Sequence, residues 1–236
     1  RSLLALVEDV LDISAIEAGK LRLSEEDFSP RELLASIGLI LQPQARAKQL
    51  DYLVVIDEQV PAMVHGDAGH MRQVLLNLVG NAVKFTDQGR VRIDVQLLEP
   101  AAGEPPADGR VRLRFVVTDT GVGIPAAMRE RLFEAFEQAD ASLARRYGGT
   151  GLGTTIAKGL VEAMGGRIGF ESHEGRGSRF WVEVPFGPPR ARPPVPVVEG
   201  EGLGAAGEDN VIAFSDPFLR HRARVRSMQV LVADDY

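Results

Sequence analysis

Four short segments, in a fixed order between residues 77 and 158, constrain this chain more than any other feature. They are Asn77–Thr86 (NLVGNAVKFT), Asp119–Pro125 (DTGVGIP), Leu132–Glu137 (LFEAFE) and Gly148–Lys158 (GGTGLGTTIAK). The first lies in a helical pattern, the second follows an apolar strand pattern, and the fourth opens a helical pattern with glycines. Each segment alone is weak evidence, so the order and spacing of all four carry the information.

Hydrophobic periodicity predicts the elements around these segments. Helices are predicted over Pro30–Lys48, Ala68–Phe85 and Thr150–Met164, the first capped by Ser29 and the second opened by Asp67. The predicted strands are Tyr52–Ile56, Val91–Leu97, Val111–Thr118, Arg167–Glu171 and Ser178–Val184, with an edge strand suggested by Leu21, Leu23 and Phe28. The predicted fold class is α/β (α+β), a two-layer sandwich of about three helices on one face of a mixed five-stranded sheet.

Both ends of the chain differ in composition from this middle region, residues 20–187. Residues 1–19 place apolar side chains on one broad helical face, which needs a partner because a lone helix of this length is marginal in water. Residues 188–227 read as a Pro- and Gly-rich linker with a basic end, and residues 228–236 end an apolar run in two aspartates. For residues 1–19, a core helix of a monomeric domain stays open as the alternative.

Composition excludes several classes of function. The formal net charge is −6, whereas a chain that binds nucleic acid clusters Lys and Arg. The sequence contains no cysteine, so disulfides and thiolate metal sites are ruled out. No apolar run approaches the ~20 residues that span a bilayer. We expect no nucleic-acid partner, and we expect attachment to a membrane only through segments upstream of this chain.

Two of the four segments suggest a polar ligand, and the second of them suggests phosphate. Asn77, Asn81 and Lys84 are spaced i, i+4 and i+7, so they form a polar stripe on an otherwise apolar helix. The glycines of the fourth segment expose backbone N–H groups at a helix start, where the helix dipole favours phosphate oxygens. No Gly-Lys-Ser/Thr follows a glycine cluster, and Gly149–Gly153 follows no strand of a βαβ unit, so P-loop and Rossmann interpretations are weak.

Together the four segments resemble the N, G1, F and G2 boxes of the ATP-binding catalytic domain of two-component sensor histidine kinases, over roughly Lys20–Phe186. The resemblance implies the Bergerat or GHKL ATP-binding fold. Residues 1–19 resemble the second helix of the family's dimerisation and phosphotransfer hairpin, and residues 228–236 resemble the first strand of a receiver domain, as in hybrid kinases. Thr154 and Thr155 depart from the usual G2 box, and this variant is similar to the diffusible-signal-factor sensor kinases of plant-associated bacteria.

The resemblance implies ATP and Mg²⁺ as cofactors. It implies that Asn81 coordinates Mg²⁺, that Lys84 contacts the phosphates, and that Asp119 accepts a hydrogen bond from the adenine amine. Asn77, Asn81 and Lys84 are the implied catalytic residues. The remaining implied nucleotide contacts are Phe85, Gly121, Gly123, Ile124, Phe136, Arg145, Arg146, Tyr147, Gly149, Thr150, Gly151, Leu152, Gly153 and Ser178.

Two groups of these contacts carry more specific expectations. Gly121 and Gly123 let the backbone approach the base. The stretch after the F box resembles the family's ATP lid, in which either Arg145 or Arg146 reaches the γ-phosphate, and the choice between them stays open.

The functional prediction is a protein-histidine kinase that transfers the γ-phosphoryl group of Mg·ATP for phosphorelay signalling. None of the four histidines reads as the acceptor: His173 falls in a turn between the terminal strands, and His65, His70 and His221 read as surface residues. The acceptor histidine is therefore expected on a helix of the same protein outside this chain. The fragment alone is not expected to autophosphorylate.

The expected partners are ATP, that histidine-bearing helix, a receiver domain or response regulator, and a second copy paired through the N-terminal helix. The expected location is the cytoplasmic side of a protein anchored in the inner membrane. Two alternatives stay open: an ATP-binding regulatory module without transferase activity, and a GHKL-type ATPase. Such ATPases carry a glutamate as general base where this chain has the neutral amide of Asn77, which disfavours hydrolysis.

Overall fold

The computed structural model describes residues 11, 13–16, 18–99, 109–129, 131–133 and 152–190. The chain divides into two units, residues 1–191 and residues 192–236, and every described residue belongs to the first. Residues 13–16 are helical, and Ile13 and Ile16 pack against the core. Within the described ranges, none of the helices has the length and apolar character needed to cross a membrane.

The centre of the fold is a mixed five-stranded sheet. The described strands are β1 (Glu26–Phe28), β2 (Asp51–Ile56), β3 (Val64–Gly66), β4 (Arg90–Leu98), β5 (Val111–Asp119), β6 (Arg167–His173) and β7 (Gly177–Phe186). The main sheet has the order β2-β4-β5-β7-β6, with β2 parallel to β4 and the other neighbours antiparallel. The predicted mixed five-stranded sheet is confirmed.

Four further helices are described: α1 (Pro30–Ala47), α2 (Ala68–Phe85), α3 (Ala126–Arg129) and α4 (Gly153–Ala163). Ser29 Oγ accepts a hydrogen bond from the amide of Glu32 at 3.4 Å, and Asp67 Oδ1 accepts one from the amide of His70 at 2.8 Å. These side chains satisfy amides that have no partner in the first turn of a helix, which confirms both predicted caps. α4 begins later and ends earlier than the predicted helix Thr150–Met164.

The apolar alternation of the strands positions the helices over the sheet. α2 packs between α1 and α4, and all three helices contact strands of the main sheet. Ile93 of β4, Phe115 of β5 and Val182 of β7 point towards them and are almost completely buried. Each side chain of this size contributes roughly 1.5–3 kcal/mol on burial. The core therefore lies between the sheet and the helices.

The predicted edge strand lies outside the five-stranded sheet. β1 pairs antiparallel with β3 in a separate two-stranded sheet, in which Phe28 lies opposite Val64. The Phe28 ring packs edge-on against Phe186, with ring centroids 5.6 Å apart, whereas Leu23 is exposed and precedes the strand. β3 and α3, of three and four residues, were not predicted because segments this short do not display a full hydrophobic period.

His65 and His70, predicted as surface residues, are partly buried and each contacts a carboxylate, whereas His221 lies outside the described residues. The His65 side chain is 11% exposed, and its Nδ1 lies 2.7 Å from Asp27 Oδ1. His70 Nδ1 lies 2.7 Å from Asp67 Oδ2. The hydrogen bond with His65 lowers the pKa of Asp27, whereas at Asp67 burial raises the pKa but amide and imidazole hydrogen bonds outweigh it and lower the pKa. Both rings thus belong to polar contacts at the starts of β3 and α2.

Candidate functional site

The ends of three elements meet where the sequence places the N, G1 and G2 boxes. These are the carboxyl end of α2, the carboxyl end of β5 and the start of α4. A Cβ added at Gly121 would lie 2.4 Å from the carbonyl oxygen of Phe85, and one at Gly153 would lie 3.2 Å from Asn77 Oδ1. The amide of Val122 donates to the carbonyl of Phe85 at 3.3 Å. The three segments, distant in the chain, are therefore neighbours in space.

Asn77, Asn81 and Lys84 share one face of α2, which we call the asparagine face. All three residues are half-buried, whereas Leu78 on the same helix is buried. In the part of the chain that the structure describes, neither asparagine amide hydrogen-bonds to the protein. Lys84 Nζ lies 4.6 Å from the centroid of the Phe85 ring. Two amides and a cation on one half-buried face suit a polyanionic ligand.

Asp119, the last residue of β5, is buried and 7% exposed. Its Oδ1 accepts hydrogen bonds from the amide of Gly121 at 2.8 Å and from the amide of Ser178 at 3.2 Å. Both bonds found among the described residues use Oδ1, so Oδ2 retains its acceptor capacity for a ligand. Asp119, Ser172 and Ser178 are referred to below as the aspartate corner.

Burial raises the pKa of Asp119 above 3.8, although the amide hydrogen bonds from Gly121 and Ser178 oppose the rise. Desolvation disfavours the charged form of a carboxyl group, and here it outweighs two bonds that favour that form. A buried carboxyl group whose pKa is shifted in this way is typical of a functional site.

Ser172 belongs to the aspartate corner, and sequence reasoning missed it. Its Oγ accepts a hydrogen bond from the amide of Ile124 at 2.8 Å and donates one to the carbonyl of Gly177 at 3.1 Å. Ser172 Oγ also lies 3.0 Å from Ser178 Oγ, and Ser178 is the donor in that pair because the single hydroxyl hydrogen of Ser172 is already used. The sequence signal that could have identified Ser172 is a serine at an inward-facing position of β6, where apolar and polar residues alternate.

Gly121 and Gly123 are required by the protein's own packing. Gly123 has φ +68°, and a Cβ there would lie 2.1 Å from the carbonyl oxygen of His173. At Gly121 the carbonyl oxygen of Phe85 occupies the space of a Cβ, at 2.4 Å. That the two glycines also admit a base stays a prediction, since packing alone demands glycine at both positions.

Thr154 and Thr155, which depart from the usual G2 box, connect the start of α4 to the F box. Thr154 Oγ1 donates to the carbonyl of Leu132 at 2.9 Å, and Thr155 Oγ1 donates to the carbonyl of Phe133 at 3.2 Å. The Phe133 ring packs edge-on against Phe170, with centroids 5.7 Å apart. The two hydroxyls therefore hold the described end of the F box against α4.

The structure describes eleven of the predicted site residues. It brings Asn77 to Gly153, Phe85 to Gly121, and Asp119 to Ser178. The predicted contacts that lie outside the described residues are Phe136, Arg145, Arg146, Tyr147, Gly149, Thr150 and Gly151. Across the described ranges, no group of three or more His, Cys, Asp or Glu side chains is placed to hold a metal ion.

Comparison with known proteins gives a family and several relatives. The profile of the family described as "Histidine kinase-, DNA gyrase B-, and HSP90-like ATPase" matches residues 66–188, just over half of the chain. The whole chain is 59% identical to the sensory/regulatory protein RpfC of Xanthomonas campestris pv. campestris and covers 32% of it. A match over 182 residues, 77% of this chain, is 47% identical to the sensor histidine kinase AruS of Pseudomonas aeruginosa, of which it covers 18%. The chain thus spans a third or less of these relatives.

A solved structure shares the fold. The structure of full-length ShkA in complex with AMPPNP matches with a TM-score of 0.67 and 36% sequence identity. The match covers 80% of this chain and 37% of that one. Together with the five-stranded sheet, it confirms the fold predicted from the sequence.

Proposed function

Since this chain belongs to the histidine kinase-, DNA gyrase B- and HSP90-like ATPase family, we propose that it is the ATP-binding catalytic part of a sensor histidine kinase. In the complete protein it transfers the γ-phosphoryl group of ATP to a histidine on a helix outside this chain, for phosphorelay signalling. The observation that carries the proposal is the aspartate corner, in which one oxygen of a buried carboxylate is held by two backbone amides.

The aspartate corner suits the exocyclic amine of adenine. That amine is a hydrogen-bond donor, and Asp119 Oδ2 has the capacity to accept from it. A hydrogen bond to a charged group contributes about 1.5–3 kcal/mol, which corresponds to roughly 10- to 150-fold in affinity. Because the protein already holds Oδ1 and the Ser172 hydroxyl, little ordering is needed on binding.

The asparagine face suits the phosphate end of the nucleotide. Lys84 is the cation that pairs with phosphate oxygens, and the Asn81 amide oxygen is a ligand that Mg²⁺ accepts beside phosphate oxygens and water. When bound, Mg²⁺ neutralises charge that develops on the phosphates. Asn77, beside Gly153, orients the start of α4, where backbone amides receive phosphate oxygens.

Transfer to a histidine is favoured over hydrolysis by the residue at position 77. An ATPase of this fold uses a carboxylate there to take a proton from water, and a general base contributes about 10²- to 10⁴-fold. Asn77 is a neutral amide and cannot act in this way. Phosphoryl transfer depends instead on positioning and charge, which the asparagine face supplies.

The wider context is also a proposal. Residues 1–19 belong to a dimerisation helix, residues 188–227 to a linker and residues 228–236 to the start of a receiver domain, and the catalytic domain lies on the cytoplasmic side of a membrane-anchored protein. The match to RpfC extends over the whole chain, beyond the residues that the family profile matches, and supports the resemblance to diffusible-signal-factor sensor kinases. The acceptor helix, a receiver domain or response regulator, and a second copy are the proposed partners.

A phosphotransfer assay tests the proposal. The chain is incubated with Mg·ATP alone, and again with a separately purified hairpin that carries the missing histidine helix. We expect acid-labile phosphate on the hairpin and none on the chain, with Asp119→Ala as the inactive control. Stable phosphate on His173, or rapid release of phosphate without the hairpin, would contradict the assignment.

A further inference from the structure

The carboxyl end of α2 receives hydrogen bonds from several other parts of the fold. The last four carbonyls of a helix have no partner within the helix. Thr86 Oγ1 donates to the first of them, on Ala82, at 2.7 Å. The amide of Val122, in the G1 box, donates to the last of them, on Phe85, at 3.3 Å. Between these lie the carbonyls of Val83 and Lys84.

Lys48 supplies the missing bonds from the end of α1. Its Nζ lies 2.9 Å from the carbonyl oxygen of Val83, 2.7 Å from that of Lys84 and 3.0 Å from that of Thr86. An ammonium group has three N–H donors, so all three are used. All four terminal carbonyls of α2 are therefore satisfied, and the next carbonyl along the chain as well.

The backbone at Lys48 is itself fixed. Its amide donates to the carbonyl of Ala45 at 3.1 Å, and the amide of Leu50 donates to the same carbonyl at 2.9 Å. Between them Gln49 has φ 58°, the left-handed conformation that ends α1. The lysine side chain thus begins from a fixed point on one helix and ends on the carbonyls of another.

We propose that Lys48 is a positioning residue for the nucleotide site. It hydrogen-bonds the carbonyls of Lys84 and Thr86, which flank Phe85 on both sides. This holds the backbone of Lys84 and Phe85 in one conformation while Val122 joins the same end of α2 to the G1 box. The inference rests on the proposed function, because it acts through the contact of Lys84 with the phosphates.

A simpler explanation is the charge of Lys48 alone. A cation near the carboxyl end of a helix is favourable whatever bonds it makes, and a positive charge near the site attracts a triphosphate. Arg46 provides the matched control, since it carries the same charge in the last turn of α1 and is exposed. Replacing each by Met removes one charge from the same helix end, but only the change at Lys48 removes the bonds to α2.

The experiment measures affinity for Mg·AMPPNP by calorimetry in wild type, Lys48→Met and Arg46→Met, each checked for folding by circular dichroism. We expect Lys48→Met to bind about tenfold more weakly, the factor that corresponds to ~1.4 kcal/mol, and Arg46→Met to stay within about twofold of wild type. In a Lys84→Ala background, Lys48→Met should cause a further loss of less than about twofold, because its effect passes through Lys84.

Each other outcome overturns the proposal. Wild-type affinity in folded Lys48→Met, equal losses in Lys48→Met and Arg46→Met, or fully additive losses with Lys84→Ala would do so. If Lys48→Met does not fold, Lys48→Arg keeps the charge on a planar group that cannot direct three donors as an ammonium does, and wild-type affinity there contradicts positioning. If the wild type binds no adenine nucleotide, the proposed function itself fails. If the wild type binds and folded Lys48→Met binds equally well, only the positioning role of Lys48 fails.

Discussion

The aspartate corner and the asparagine face differ in how much of their hydrogen bonding the protein supplies. In the corner, Asp119 accepts from two backbone amides, and Ser172 joins the G1 box to β6 and β7 through three contacts. On the face, Asn77 and Asn81 are half-buried, and neither amide has a protein hydrogen bond within the described ranges. The hydrogen bonds of the corner form before a ligand arrives and leave Asp119 Oδ2 to accept from it, whereas the amides of the face obtain partners only from the ligand.

The difference follows from burial. A fully buried polar group without a partner costs about 1–3 kcal/mol, so the corner has to satisfy its own groups for the protein to fold. Half-buried amides remain hydrated and have no such requirement. Substitutions in the corner should therefore change both stability and nucleotide affinity, whereas substitutions on the face should change affinity alone.

The largest effect is expected at Gly123. A Cβ there would lie 2.1 Å from the carbonyl oxygen of His173 in a backbone with φ +68°, so Gly123→Ala should destabilise the domain by about 3 kcal/mol or more. Gly175 is the matched control, because its φ is +75° and nothing lies within 4 Å of an added Cβ. Gly175→Ala should cost only about 1–2 kcal/mol in chemical denaturation. Equal losses would show that Gly123 is not tightly packed against His173.

At Asp119, one substitution should change the stability of the domain and its affinity for ATP in opposite directions. Asp119→Asn keeps an oxygen that accepts from the amides of Gly121 and Ser178 but presents an amide where the carboxylate stood. Affinity for ATP should fall by about 10- to 150-fold, as expected for the loss of a charged hydrogen bond. Stability at neutral pH should rise by about 1 kcal/mol, because the variant no longer buries a charge.

The stability difference between wild type and Asp119→Asn should depend on pH. The pKa of Asp119 is raised by burial, so the folded state holds the proton more tightly than the unfolded state, whose pKa is near 3.8. The destabilisation by the charged form is absent below that unfolded pKa and develops as pH rises through the raised folded value. The stability advantage of Asp119→Asn should therefore vanish in acid, and an advantage that persists there would contradict this origin.

A smaller effect is expected at the threonines beside the asparagine face. Thr154→Val and Thr155→Val keep the shape of the side chain but leave the carbonyls of Leu132 and Phe133 without these donors. Each should cost about 0.5–1.5 kcal/mol in denaturant unfolding. Thr118→Val, on the face of β5 that points away from the helices, should stay within about 0.5 kcal/mol. No difference from that control would mean that the hydroxyl bonds are not needed.

The periodic elements were predictable because packing repeats along them. The bounds of α2 and both helix caps follow from apolar spacing and from Ser29 and Asp67, and the order of the four boxes identifies the family. A contact between two distant segments occurs only once in the structure, so no periodic sequence pattern predicts it. Ser172, the three carbonyls around Lys48 and the pairing of β1 with β3 each depend on where distant segments meet.

The glycines show a further limit of sequence reasoning. Their positions in the G1 box indicate an unusual backbone, but the sequence could not say that Phe85 and His173 fill the space of the absent side chains. Similarly, His65 reads as a surface residue because its partner Asp27 lies 38 residues away in the sequence. Long-range polar pairing, unlike hydrophobic periodicity, leaves no repeating signal.

The most direct test of the account compares adenosine with ATP, with and without Mg²⁺, in wild type, Asp119→Asn and Asn81→Ala. Asp119→Asn should weaken the binding of adenosine and of ATP by the same factor whether or not Mg²⁺ is present. Asn81→Ala should leave the affinity for adenosine unchanged and remove the gain in ATP affinity that Mg²⁺ gives. Loss of adenosine affinity in Asn81→Ala, or unchanged affinity in both variants, would contradict the division of the site into a preformed base corner and a ligand-completed phosphate face.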